Sequence, residues 1–122
     1  NPIAYERYLM KLKKHSRIYI SVNEYYSEEA KASVLAEEAR LRGLGYCVFS
    51  PTTAHNITKA MMWEKEKREP TKKELLDSQL RVLMECDLVV DMGLTNNPLD
   101  KIYCEQSGIQ YIDSRTLEDA DD

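Results

Sequence analysis

The sequence predicts a single three-layer α/β domain on a mainly parallel sheet of four or five strands, and three short apolar runs carry that expectation. They are Arg17-Ile-Tyr-Ile-Ser-Val22, Tyr46-Cys-Val-Phe-Ser50 and Asp87-Leu-Val-Val-Asp-Met92. Each is too short for a helix, rich in β-branched or aromatic side chains, and bounded by turn formers or charge. Between the first two lies a helical stretch from Ser27 to Leu44, ending in Gly43 and Gly45. A strand, a crossover helix and a second strand form a parallel pair with the helix on one face. Right-handed crossovers then imply strand order 2-1-3-4, with the first strand central. Parallel sheets take ligands at the carboxyl ends of their strands, so the chemistry is expected in residues 21–26, 51–56 and 93–100.

The elements follow in order. Residues 2–15 read as a leading helix, with Ile3, Tyr5, Tyr8, Leu9 and Leu12 on one side and Lys and Arg on the other. Ser27 is the expected N-cap of the second helix, with Glu28 and Glu29 set against the positive helix end. Ala30, Val34, Leu35, Ala39 and Leu41 are its expected buried stripe. Pro51 closes the second strand, and Thr52-Thr53-Ala54-His55-Asn56 reads as a polar loop. A helix over 57–68 packs Met61, Met62 and Trp63, and Pro70 breaks it. Thr71-x-x-Glu74 is a capping box opening the next helix, which buries Leu75, Leu76, Leu80, Leu83 and Val82. The third strand, a loop over 93–98, a helix to Ser107, Gly108 as C-cap and a last strand over 109–113 complete the domain. Residues 114–122 form an acidic tail.

The 122 residues, 43% of them hydrophobic, suit one globular domain with a sizeable core. A net charge of −4 and an isoelectric point near 5.3 argue against binding long nucleic acid. The charge is polarised, with a net +4 over residues 1–17 and −3 over 114–122, and solvated ends explain it most simply. Cys47, Cys86 and Cys104 show no CxxC spacing, so buried reduced thiols and a cytoplasmic setting are expected. No apolar stretch reaches the ~18 residues of a membrane span. With only His15 and His55, a zinc site is not expected.

Several familiar chemistries are excluded. The first strand lacks the paired carboxylates of a phosphoacceptor domain, and neither GxGxxG nor a Walker loop is present. What remains is an ordered set of segments: Ile18-Tyr-Ile-Ser21, Gly45-Tyr-Cys-Val-Phe-Ser-Pro51, Leu83-Met-Glu-Cys-Asp-Leu-Val-Val90, and an acidic residue eight positions before Gly108. That order, over residues 17–113, resembles the nucleoside 2-deoxyribosyltransferase-like superfamily, and within it a small phage and bacterial branch.

The resemblance implies a flavodoxin/Rossmann-like fold and an N-glycosidic bond hydrolase or deoxyribosyltransferase. In that family a carboxylate after the third strand attacks the sugar C1′, as in retaining glycosidases. The matching position is Asp100, where the family usually has Glu. Asp100 reads equally well as a first-turn acid complementing the helix dipole. Gln79 stands where the family often has Asp, and Cys104 where it has a small residue.

The implied ligand is a nucleoside or nucleotide, with no metal or organic cofactor. Ser21, Asn23, Thr53, Thr95 and Asn97 are candidates to hold sugar or phosphate, and Tyr25 to stack on the base. His55 can contact phosphate or base, or be a solvated loop histidine. A non-catalytic binding or interaction module of the same fold is the alternative. A homodimer or higher homo-oligomer is expected, with the apolar stripe of the leading helix as its contact.

Overall fold

The computed structural model describes residues 4–22, 27–94 and 99–115. Its elements run α1 (Ala4–Lys11), β1 (Arg17–Ser21), α2 (Glu28–Gly43), β2 (Cys47–Phe49), α3 (Pro51–Glu66), α4 (Lys72–Met84), β3 (Leu88–Asp91), α5 (Leu99–Ser107) and β4 (Gln110–Asp113). All four strands pair in parallel, in the order β2-β1-β3-β4, so β1 is central as expected.

Alternation along the strands sends successive side chains to opposite faces and creates two cores. Ile18, Ile20, Val48, Leu88, Val90 and Ile112 meet Tyr5 and Leu9 of α1 and Val34 and Leu41 of α2. Tyr19 and Val89 point the other way, toward Leu83, Cys86 and Cys104 of the α4–α5 side. The central strands therefore read as continuous apolar runs, because both faces are covered.

Several sequence expectations change. The polar loop over 52–56 is helical: Ser50 accepts from the Thr53 amide as N-cap, Pro51 occupies the first turn, and α3 starts six residues earlier than expected. A proline that ends a strand is equally suited to open a helix, where its missing N–H is not needed. Ile3 of the expected stripe lies outside the described residues, and within α1 the stripe is not an outer surface. Tyr5 and Leu9 are buried in the first core, with Tyr8 and Leu12 packed on it, which removes the motive for a contact between subunits there.

In α2, Leu35 and Ala39 face solvent and Glu38 is buried, held by Arg42 at 3.4 Å. The helix touches the sheet along the narrow line of Val34 and Leu41, seven residues apart, and that line sets the phase. Met61 and Trp63 of α3 and Leu76 of α4 are exposed, and Leu75, Leu80 and Val82 are half-buried. Pro51, Ala54 and Leu83 are the buried residues of these two helices, so the pair is anchored only at its sheet-facing end.

Cys47 is exposed, contrary to expectation, because its side chain falls on the open face of an edge strand. Burial pushes the Cys86 thiol up to about 12 and the Cys104 thiol up to about 11. A thiol reagent at neutral pH is expected to label the native chain rapidly at Cys47 alone, and all three positions after denaturation. Peptide mapping of the labelled chain checks this.

Candidate functional site at the carboxyl edge

The chain leaves β1 toward β2 on one side and returns across β1 to add β3 on the other. The reversal puts the topological switch point between the carboxyl ends of β1 and β3. Register sets Ser21 beside Asp91, and Asp91 beside Asp113. The same alternation that buries Ile18 and Ile20 in the first core turns Tyr19 and Ser21 toward α5.

Asp100 lies in the first turn of α5, with Cys104 one turn later on the same inward face. It is 6% exposed, and the fully buried Ser21 hydroxyl donates to its Oδ2 at 2.6 Å across 79 positions of sequence. Burial raises the Asp100 carboxyl above its ordinary range, the Ser21 bond opposes that, and the Asp91 charge adds to it. The Tyr19 hydroxyl is buried without a hydrogen-bond partner among the described residues. Burial, and then the charge of Asp100, hold it firmly protonated. A buried carboxyl with one hydroxyl bound to it and a second, unsatisfied one nearby is a costly arrangement for stability alone.

Replacing Ser21 with alanine removes the donor and leaves a buried acceptor unpaired. A loss of about 1–3 kcal/mol is expected, read by chemical denaturation at neutral pH. The Asp100 pKa should move further up, visible by carboxyl NMR titration.

Asp91, a strand residue by its sequence, belongs to the same edge. Its Oδ2 accepts from the Tyr111 hydroxyl at 2.7 Å, and its Oδ1 from the Gly93 amide at 2.7 Å. Burial, and then this bond, raise the Tyr111 pKa. The signal that could have found it is an acid closing an otherwise apolar strand on the carboxyl edge. Gly93 has φ +79°, and the Arg115 guanidinium sits where a Cβ would project. Arg115 is in turn clamped by Asp113 at 2.7 Å.

The other candidates divide. Thr53 belongs to a cavity of about 290 Å³ between α2 and α3, with Lys31, Glu38, Arg42 and Asn56, rather than to the Ser21–Asp100 pair. His55, in the first turns of α3, bonds through Nε2 to Gln79 Oε1 of α4 at 2.9 Å and ties the two helices together. Asn23, Tyr25, Thr95 and Asn97 lie outside the described residues. Of the predicted site, the structure therefore brings together Ser21 and Asp100 and adds Tyr19, Asp91 and Tyr111.

No protein-family model and no curated protein matches this chain. Among the described residues, no group of three His, Cys, Asp or Glu side chains is placed to hold a metal ion. No helix among them is long and apolar enough to cross a membrane.

Proposed function

We propose that the carboxyl edge between β1 and β3 binds a nucleoside or nucleotide, and that Asp100 is the carboxylate that cleaves its N-glycosidic bond. The observation that carries this reading is the Ser21–Asp100 hydrogen bond at the topological switch point. The Asp100 oxygen attacks C1′ as the C1′–N bond breaks, through an oxocarbenium-like transition state, and the base departs with the bonding electrons and takes up a proton. Water or a second base then displaces the ester at C1′ and regenerates the carboxylate. Ser21 holds the carboxylate in one orientation, which limits the entropy lost on reaching the transition state. Recognition of sugar, phosphate and base falls to Asn23, Tyr25, Thr95 and Asn97, which follow β1 and β3 in the sequence. The working unit is a homo-oligomer in the cytoplasm.

One observation favours the non-catalytic alternative. Burial raises the Asp100 carboxyl above its ordinary range, with Ser21 opposing and Asp91 adding, and a buried carboxyl held by a hydroxyl can bind a polar ligand without attacking carbon. Chromatography of the four deoxynucleosides and their 5′-monophosphates after incubation with the protein separates the readings. Release of free base is the expected result. Binding by calorimetry without base release would establish the alternative.

A further inference from the structure

We infer that the α3–α4 hairpin is the surface through which two copies of this chain associate, forming an antiparallel four-helix contact. The inference deepens the homo-oligomer part of the proposed function by naming its interface. The hairpin buries Pro51, Ala54 and Leu83 and packs Val82 against the second core, so the Glu66 end of α3 and the Lys72 end of α4 project past it. Its inner joints are polar: His55 meets Gln79, Thr58 meets Ser78, and Arg68 holds both Glu74 oxygens at 2.8 and 2.9 Å. These bonds fix the two helices side by side.

Along the outside runs a groove of about 460 Å³ whose floor is Ile57, Met61, Met62 and Val82. Ile57 is 49% exposed and Met61 50%, an arrangement a monomer gains nothing by keeping wet. The groove also carries two cations, Lys65 and Arg81, and three anions, Glu66, Glu74 and Asp77. Among the described residues Lys65, Arg81 and Asp77 make no ion pair, and Glu66 reaches only Arg68, at 3.2 Å.

A patch that carries charges of both signs, with Lys65, Arg81 and Asp77 unpaired among the described residues, is complementary to itself. Under two-fold symmetry, the cations of one copy meet the anions of the other, and the relation repeats in reverse. The area is adequate. Helices of 16 and 13 residues are about 24 and 20 Å long, and two lying side by side present a face near the lower limit of a specific interface, about 600 Å² per partner.

Light scattering on the purified chain tests the inference. The wild type should have twice the 14.2 kDa chain mass at tens of micromolar. The double variant Lys65→Glu, Arg81→Glu makes the groove wholly anionic, and Glu66→Lys, Asp77→Lys makes it cationic but for Glu74, which Arg68 holds. Each alone should run as a folded monomer by light scattering and circular dichroism, and an equimolar mixture should recover the double mass. Met61→Lys, which leaves the other charges in place, should weaken association at least tenfold.

A wild-type dimer untouched by all three variants would overturn the interface and leave the homo-oligomer standing. A wild-type monomer at millimolar concentration would overturn both. Neither result bears on base release, which is read separately.

Discussion

Replacing Asp100 with asparagine is expected to abolish base release and to leave the fold more stable at neutral pH. The activity loss follows from chemistry. An amide has almost the shape of the carboxyl but is a far weaker nucleophile and carries no charge to stabilise a developing oxocarbenium ion, so a fall of about 10³-fold or more is expected. The stability gain follows from linkage. Burial raises the folded-state pKa of Asp100 above its ordinary 3.8. Between the ordinary and the raised value the folded chain holds more protons than the unfolded one, so stability falls as pH rises through that window. Above the window the cost of a buried carboxylate is fully present; below it, both states are protonated and the cost vanishes.

Asparagine carries no such cost and can still accept from Ser21. The variant should therefore melt above the wild type at neutral pH, and the two curves should converge in acid. In the wild type the acid limb of the rate profile should sit above the ordinary carboxylate range for the same reason. Base release unchanged in Asp100→Asn would remove Asp100 from the mechanism. A variant that melts lower at neutral pH would mean that the carboxylate is a structural acceptor and not a strained functional group.

The second large effect is expected at Leu83. It is the one buried residue of α4 and packs with Tyr19, Val89, Cys86 and Cys104 in the second core. Leu83→Ala leaves a cavity between α4 and the sheet and should cost about 3 kcal/mol. For a chain of this size that is a fall in melting temperature of about 12 °C. Leu76 lies on the same helix and in the same predicted stripe but is exposed, so Leu76→Ala should change stability by no more than about 0.5 kcal/mol. Thermal denaturation of the two variants side by side is the measurement. Equal effects would mean that the hairpin packs along its whole length, which would also remove the open groove on its outer side.

That contrast marks the boundary between sequence and tertiary structure in this protein. The parallel sheet, its order and its central strand were legible in the chain, because a buried strand must be short, apolar and β-branched throughout, and Ile18–Ile20 and Leu88–Val90 leave no other solution. The Ser27 cap and the Thr71–Glu74 capping box were legible because each is a local contract between residues three apart. Ser21 and Asp100 were placed on one edge for a topological reason: both follow the carboxyl end of a strand in a parallel sheet.

What the sequence could not decide was the rotation of each helix about its own axis. Leu35, Met61 and Leu76 share the spacing of core residues, yet they face outward, because only a narrow line of each helix meets the sheet and the neighbouring elements choose which. The same holds at the candidate site. Asp91 acquires its partner Tyr111 only when β4 comes to lie beside it, and Tyr19, without a hydroxyl partner among the described residues, is buried only by the packing of Leu83, Cys86 and Cys104 on the same face. Period is a property of the chain. Phase, and with it the difference between a core leucine and a binding surface, comes from long-range packing.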